Sequence, residues 1–150
     1  MTARIRATPE RVYRALLDPT LIARWRVPSG MSCTVHEFEP RVGGRFRVSL
    51  SYDGDTNDGK SDAHTDTYSG HFEALVPNRR VVEVLAFETT DPAFMGRMRI
   101  VTELTATTDG TELSATHEGL PAAVSSSDNE IGWRESLAKL AALVEEGRGR

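Results

Sequence analysis

Four histidines, one cysteine and an aspartate-rich run are the residues of this chain with the most chemical reach. His36, His64, His71 and His117 are scattered. They show no H-x-x-H or H-E-x-x-H spacing, so no zinc site is expected. His117 follows Leu113 and Ala115 on the apolar side of an alternating segment. Two roles fit it there: a polar group that orients a ligand in an apolar cavity, or a structural histidine hydrogen-bonded at a sheet end. Glu118 beside it points to the opposite face of a strand, so the two form no acid–base pair by proximity. Cys33 has no neighbouring His or Lys to lower its pKa and reads as a small apolar residue. Ser125-Ser126-Ser127 reads as a loop with a helix cap, not as a hydrolase nucleophile.

The run "DGDTNDG", Asp53–Gly59, imitates the start of a calcium loop. An EF-hand loop needs glycine at its sixth position and a bidentate glutamate at its twelfth. Counted from Asp53, those positions hold Asp58 and His64. Strands flank the run where an EF-hand has helices. It therefore reads as a solvated hairpin loop, rich in turn-forming Asp, Asn and Gly. "VGG" at Val42–Gly44 lacks phosphate-loop spacing, precedes a strand, and reads as a turn or bulge. No catalytic residue, metal ligand or cofactor motif is assigned.

The elements around these residues follow from periodicity. Thr8-Pro9 opens a helix carrying Val12, Tyr13, Leu16 and Leu17. Asp18-Pro19 stops it and starts a second short helix with Leu21, Ile22 and Trp25. "GGRFRVSLSY" alternates, with Phe46, Val48, Leu50 and Tyr52 on one side. "TYSGHFEAL" puts Tyr68, Gly70, Phe72 and Ala74 on one side. "RVVEVLAFE" is strand-like and apolar on both sides. "MRIVTELTA" turns Met98, Ile100, Thr102 and Leu104 inward, and "TELSATHE" carries Leu113, Ala115 and His117. Val76-Pro77-Asn78 and Asp109-Gly110 are turn signals. Arg79-Arg80 reads as a solvated corner. A last helix shows a capping-box spacing at Ser127 and Glu130. Its apolar stripe takes in Ile131, Trp133, Leu137, Leu140, Ala141 and Val144, with Gly147 as a C-cap. Two short helices, an antiparallel sheet and a long closing helix make an α+β layout.

The chain has 150 residues, 39% hydrophobic and 27% charged. That fits one soluble domain, residues 1–150, large enough to bury a core without disulfides. The formal net charge is −4. The segment from Asp53 to Asp66 holds five aspartates and Lys60, which accounts for the whole of that charge. No basic patch is present, which argues against a nucleic-acid partner. No apolar run is long enough to span a bilayer, and "MTARIRATPE" lacks the apolar core of a secretion signal. With a single cysteine, a cytoplasmic location is expected.

Five blocks then stand in a familiar order: "ATPERVYRALLDPTLIARWRVP", "EPRVGGRFRVSL", "YSGHFEALVPNRRVV", "GTELSATHEGLP" and "GWRESLAKLAALVE". Together they make the chain resemble the AHSA1-like (activator of Hsp90 ATPase homologue) members of the START/Bet v 1-like SRPBCC superfamily. The resemblance implies a helix-grip fold. A curved antiparallel sheet of about six or seven strands wraps around the C-terminal helix, with a cavity between them. It departs from the family's pattern in the long acidic segment Asp53–Asp66. It departs again at Trp25, where Arg24 and Arg26 flank one tryptophan in place of a pair. The function it implies is a small binding protein for an apolar or amphipathic molecule. The expected cavity residues are Phe46, Val48, Tyr68, Phe72, Met98, Ile100, His117, Trp133 and Leu137. Other members of the superfamily are cyclases or hydrolases, and one relative is a cochaperone domain that binds Hsp90. The cochaperone carries a further N-terminal domain for which 150 residues leave no room. A homodimer is compatible with the resemblance.

Overall fold

The computed structural model describes residues 1–52 and 65–146. The aspartate-rich run and Gly147 lie outside the described residues. Strand β1 (Thr2–Ile5) is followed by helices α1 (Pro9–Leu16) and α2 (Pro19–Trp25). Six strands come next: β2 (Met31–Phe38), β3 (Arg45–Tyr52), β4 (Thr65–Val76), β5 (Arg80–Phe87), β6 (Met98–Ala106) and β7 (Thr111–Glu118). Helix α3 (Ser126–Glu146) closes the chain. The seven strands form one curved antiparallel sheet in the order β1-β7-β6-β5-β4-β3-β2, with β5 at its centre. This is the α+β helix-grip arrangement. No described helix is long and apolar enough to cross a membrane.

Local chemistry starts and stops the elements. The Thr8 hydroxyl accepts the Arg11 N–H at 3.3 Å, and Pro9 takes the first helical position, where its missing N–H costs nothing. The Asp18 carboxylate accepts two N–H groups, from Thr20 at 2.9 Å and Leu21 at 3.4 Å. The Trp25 indole N–H donates to the Ala15 carbonyl at 3.0 Å, tying α2 to α1. Asn78 takes a left-handed φ of 64° after Pro77 and turns β4 into β5. The Thr107 N–H donates to the Gly110 carbonyl at 2.9 Å and closes the β6–β7 hairpin.

Strand alternation sorts side chains between two faces. Phe46, Val48, Phe72, Ile100, Leu113 and Ala115 are buried on the concave face. Leu137, Leu140 and Val144 of α3 enter the same core, as do Val12, Ile22 and Trp25 from α1 and α2.

Four expectations need correction. A bulge after Phe72 moves Ala74 to the other face, opposite Val82, and turns Leu75 inward opposite Val81. The cap of α3 lies two residues before Ser127: the Asp128 N–H donates to the Ser125 hydroxyl at 3.3 Å, and Glu130 pairs with Arg134. Ile131 is 61% exposed and leaves the apolar stripe. Half-buried Trp133 and buried Leu137, Leu140 and Val144 recur at helical spacing, and two residues back from Trp133 is the far side of the helix. Strand β5 is not apolar on both sides. Glu83 shares the concave face with Val81 and Leu85 and is 5% exposed.

Candidate functional site

A cavity of about 400 Å³ opens between the concave face and α3. Strands β3 to β6 supply Leu50, Tyr52, Asp66, Tyr68, Leu85, Phe87, Met98 and Ile100. Arg26 and Pro28 enter from the end of α2. The loop before α3 gives Ala123, Val124 and Ser125, and α3 itself gives Asp128, Asn129, Gly132, Trp133 and Ser136. Most of this wall is apolar, with a few converging polar groups. Small-molecule sites have the same make-up.

The polar centre is a buried ion pair. Glu83 stands at mid-strand on β5, opposite Phe72 of β4 and Ile100 of β6. A lone carboxylate there must find a donor, because transfer of a bare charge from water is unaffordable. Arg26, the residue that ends α2, supplies it: its Nη1 donates to Glu83 at 2.6 Å. The guanidinium lies over two rings, 5.0 Å from the Trp133 centroid and 5.3 Å from that of Tyr68. Burial presses the Arg26 pKa down, but Glu83 and the other partners outweigh it and hold the group charged. Arginine suits this role, since its planar fork both stacks and pairs.

Tyr68 is 6% exposed, and its hydroxyl is buried without a hydrogen-bond partner among the described residues. Burial drives its pKa up, with the Arg26 charge opposing, so the phenol stays protonated and can donate. His117 packs edge-on against Trp133, with ring centroids 4.7 Å apart. Its Nδ1 accepts from the Asn129 side-chain amide at 2.9 Å. Burial, then the nearby Arg26 and Met1 charges, lower its pKa to about 4. The imidazole is therefore neutral at pH 7, with its proton on Nε2. That atom is buried and has no partner among the described residues. Among the described residues no carboxylate is bonded to the ring: Asn129 meets it, and Glu118 faces outward to Arg99.

Of the nine cavity residues expected from sequence, Tyr68, Met98, Ile100 and Trp133 line this space. Phe46, Val48 and Phe72 lie in the packed core, where Phe46 tilts against Phe72 with centroids 5.2 Å apart. Leu137 borders a crevice of about 10 Å³ beside Trp25. His117 sits behind Trp133. Cys33 is half-buried on the concave face of β2, and burial raises its pKa. No group of three metal-ligating side chains occurs among the described residues.

Sequence reasoning missed Arg26, Glu83, Asn129 and Gly132. Glu83 carried a signal: one charge at the same parity as Val81, Leu85 and Phe87 in an otherwise apolar strand. Gly132 carried another. A glycine inside a long helix weakens it by about 0.5–1 kcal/mol relative to alanine, so it usually has a packing reason. Here a Cβ on Gly132 would touch only Pro28, at 3.8 Å, so the missing side chain leaves part of the cavity open.

The same fold recurs among solved structures. A Chromobacterium violaceum protein is 34% identical, covering 97% of this chain and 94% of its own, with a TM-score of 0.88. A Rhodobacter sphaeroides protein matches at 22% identity and a TM-score of 0.79, covering 97% of this chain and 90% of its own. An AHSA1-like protein from Aeromonas hydrophila matches at 20% identity and a TM-score of 0.73, with the same two coverages, 97% and 90%. No curated protein matches. A family model described as activator of Hsp90 ATPase homolog 1-like protein matches residues 6–145, and the chain therefore belongs to the AHSA1-like family.

Proposed function

We propose that the protein binds an apolar or amphipathic small molecule in the cavity between the sheet and α3. The observation that carries this reading is the cavity itself: about 400 Å³, walled by Leu50, Leu85, Phe87, Met98, Ile100 and Trp133, with a glycine on the helix above it. A two-ring aromatic fits such a volume. Burying about 200 Å² of its apolar surface would contribute about 5 kcal/mol, less the loss of its motional freedom. Dissociation constants of about 0.2 mM or weaker follow for a simple probe. A cytoplasmic setting, which the lone cysteine favours, is part of the same proposal.

The test is a titration with an apolar naphthalene probe followed by equilibrium dialysis, with native mass spectrometry of freshly purified protein beside it. Wild-type protein should bind one equivalent. Gly132→Phe, which fills the space above the sheet, should lose binding while keeping its circular dichroism spectrum. Equal binding by the two proteins would remove the cavity from consideration.

A further inference from the structure

We infer that the ligand of this cavity carries an uncharged hydrogen-bond acceptor, such as a ketone, ester or amide carbonyl, and that Tyr68 donates to it. The inference rests on the binding reading above and adds the chemical class of the head group.

Two observations carry it. The first is Tyr68, a cavity-lining side chain more than nine-tenths buried, whose hydroxyl has no partner among the described residues. A buried hydroxyl without a partner is costly, and native structures keep few of them. The phenol is held in place on both sides. Its ring stands edge-on to Phe46 with centroids 6.2 Å apart, and Arg26 lies over its face. It therefore cannot swing out to water without uncovering both. An acceptor delivered by a ligand satisfies it.

The second observation is the charge on the wall, which selects between a neutral acceptor and an anion. Among the described lining residues Arg26 is the one cation, and Glu83 already compensates it at 2.6 Å. Asp66 and Asp128 line the same space. A carboxylate head would leave water to meet a cation already paired and the acidic Asp128. A carbonyl oxygen carries no net charge, so it takes the Tyr68 hydrogen bond without that penalty. Apolar contacts with Met98, Ile100 and Trp133 hold the body of the molecule.

Three probes with one ring system separate these terms: 2-acetylnaphthalene, 2-ethylnaphthalene and 2-naphthoate. Each is measured by equilibrium dialysis at pH 7 against wild-type protein and Tyr68→Phe. The variant keeps the ring and loses only an unpartnered hydroxyl, so it should melt no lower than wild type. The expected result is that the acetyl-to-ethyl affinity ratio falls about tenfold in Tyr68→Phe, which is 1.4 kcal/mol, the size of one hydrogen bond. The fall should come from the acetyl probe alone. In wild type, 2-naphthoate should bind at least tenfold more weakly than 2-acetylnaphthalene. An unchanged ratio in Tyr68→Phe, or tighter binding of 2-naphthoate, overturns the head-group inference while the ethyl probe's binding keeps the cavity reading. Failure of all three probes overturns both.

Discussion

The Arg26–Glu83 pair offers a quantitative check on how the concave face is held together. At 2.6 Å, with side chains 11% and 6% exposed, the two charges attract by about 4–6 kcal/mol at an effective dielectric near 20. That attraction is largely spent on desolvating both groups, so the pair as a whole adds little net stability. Removing one partner is different, because the other remains buried and uncompensated. Glu83→Gln strands the guanidinium between the Trp133 and Tyr68 rings; Arg26→Met strands a carboxylate at the centre of the sheet. Each should lose about 3–5 kcal/mol. For a chain of this length that is a drop in Tm of roughly 10–15 °C. The double variant Arg26→Met/Glu83→Leu removes both charges and supplies apolar bulk. It should recover to within about 1 kcal/mol of wild type or exceed it. Urea denaturation of the four proteins gives the coupling energy directly. Single losses below about 1 kcal/mol, or a double variant equal to the sum of the singles, would show that the pair is solvated and that the proposed buried centre is wrong.

Three further outcomes follow from other residues. His117 titrates at about 4 when folded, against an ordinary value of 6.5, so the unfolded chain binds more protons between these values. Its contribution is therefore complete above pH 6.5 and is lost as pH falls toward 4. It amounts to about 1–2 kcal/mol once solvent screening of a partly exposed ring is discounted. His117→Gln should flatten the fall in urea midpoint between pH 7 and 5, and an unchanged slope would exclude the ring. Gly132→Ala should raise Tm by roughly 1–4 °C, because helix propensity improves and the new methyl meets only Pro28 at 3.8 Å; a lower Tm in differential scanning calorimetry would mean that the space is already filled. Gly70→Ala should destabilise by at least about 2 kcal/mol, since its Cβ would run into the Val84 carbonyl and come within 2.7 Å of the Leu85 Cα. A variant that melts with wild type would disprove that close strand approach.

Most of the architecture was legible because it depends on local rules. Thr8-Pro9 and Asp18-Pro19 start helices wherever they fall, since a hydroxyl or carboxylate satisfies N–H groups a few residues away. Alternation assigned Phe46, Val48, Tyr68, Phe72, Met98 and Ile100 to one face, because successive strand residues must point oppositely. The cap of α3 was misread by two residues for a local reason too: three consecutive serines compete for the same role, and only backbone geometry chose Ser125.

What sequence could not decide is which side chains of the inward face pack solidly and which border open space. Phe46 and Tyr68 have the same parity, the same strand environment and similar bulk, yet one lies in the core and the other lines the cavity. That division depends on sheet curvature and on where α3 lies across it, which are sums over many distant contacts. The Arg26–Glu83 pair is of the same kind, its members standing 57 positions apart along the chain. Periodicity states that Glu83 must be buried and therefore needs a cation. Only the path of α2 across the mouth of the sheet determines that Arg26, and not its neighbour Arg24, provides it.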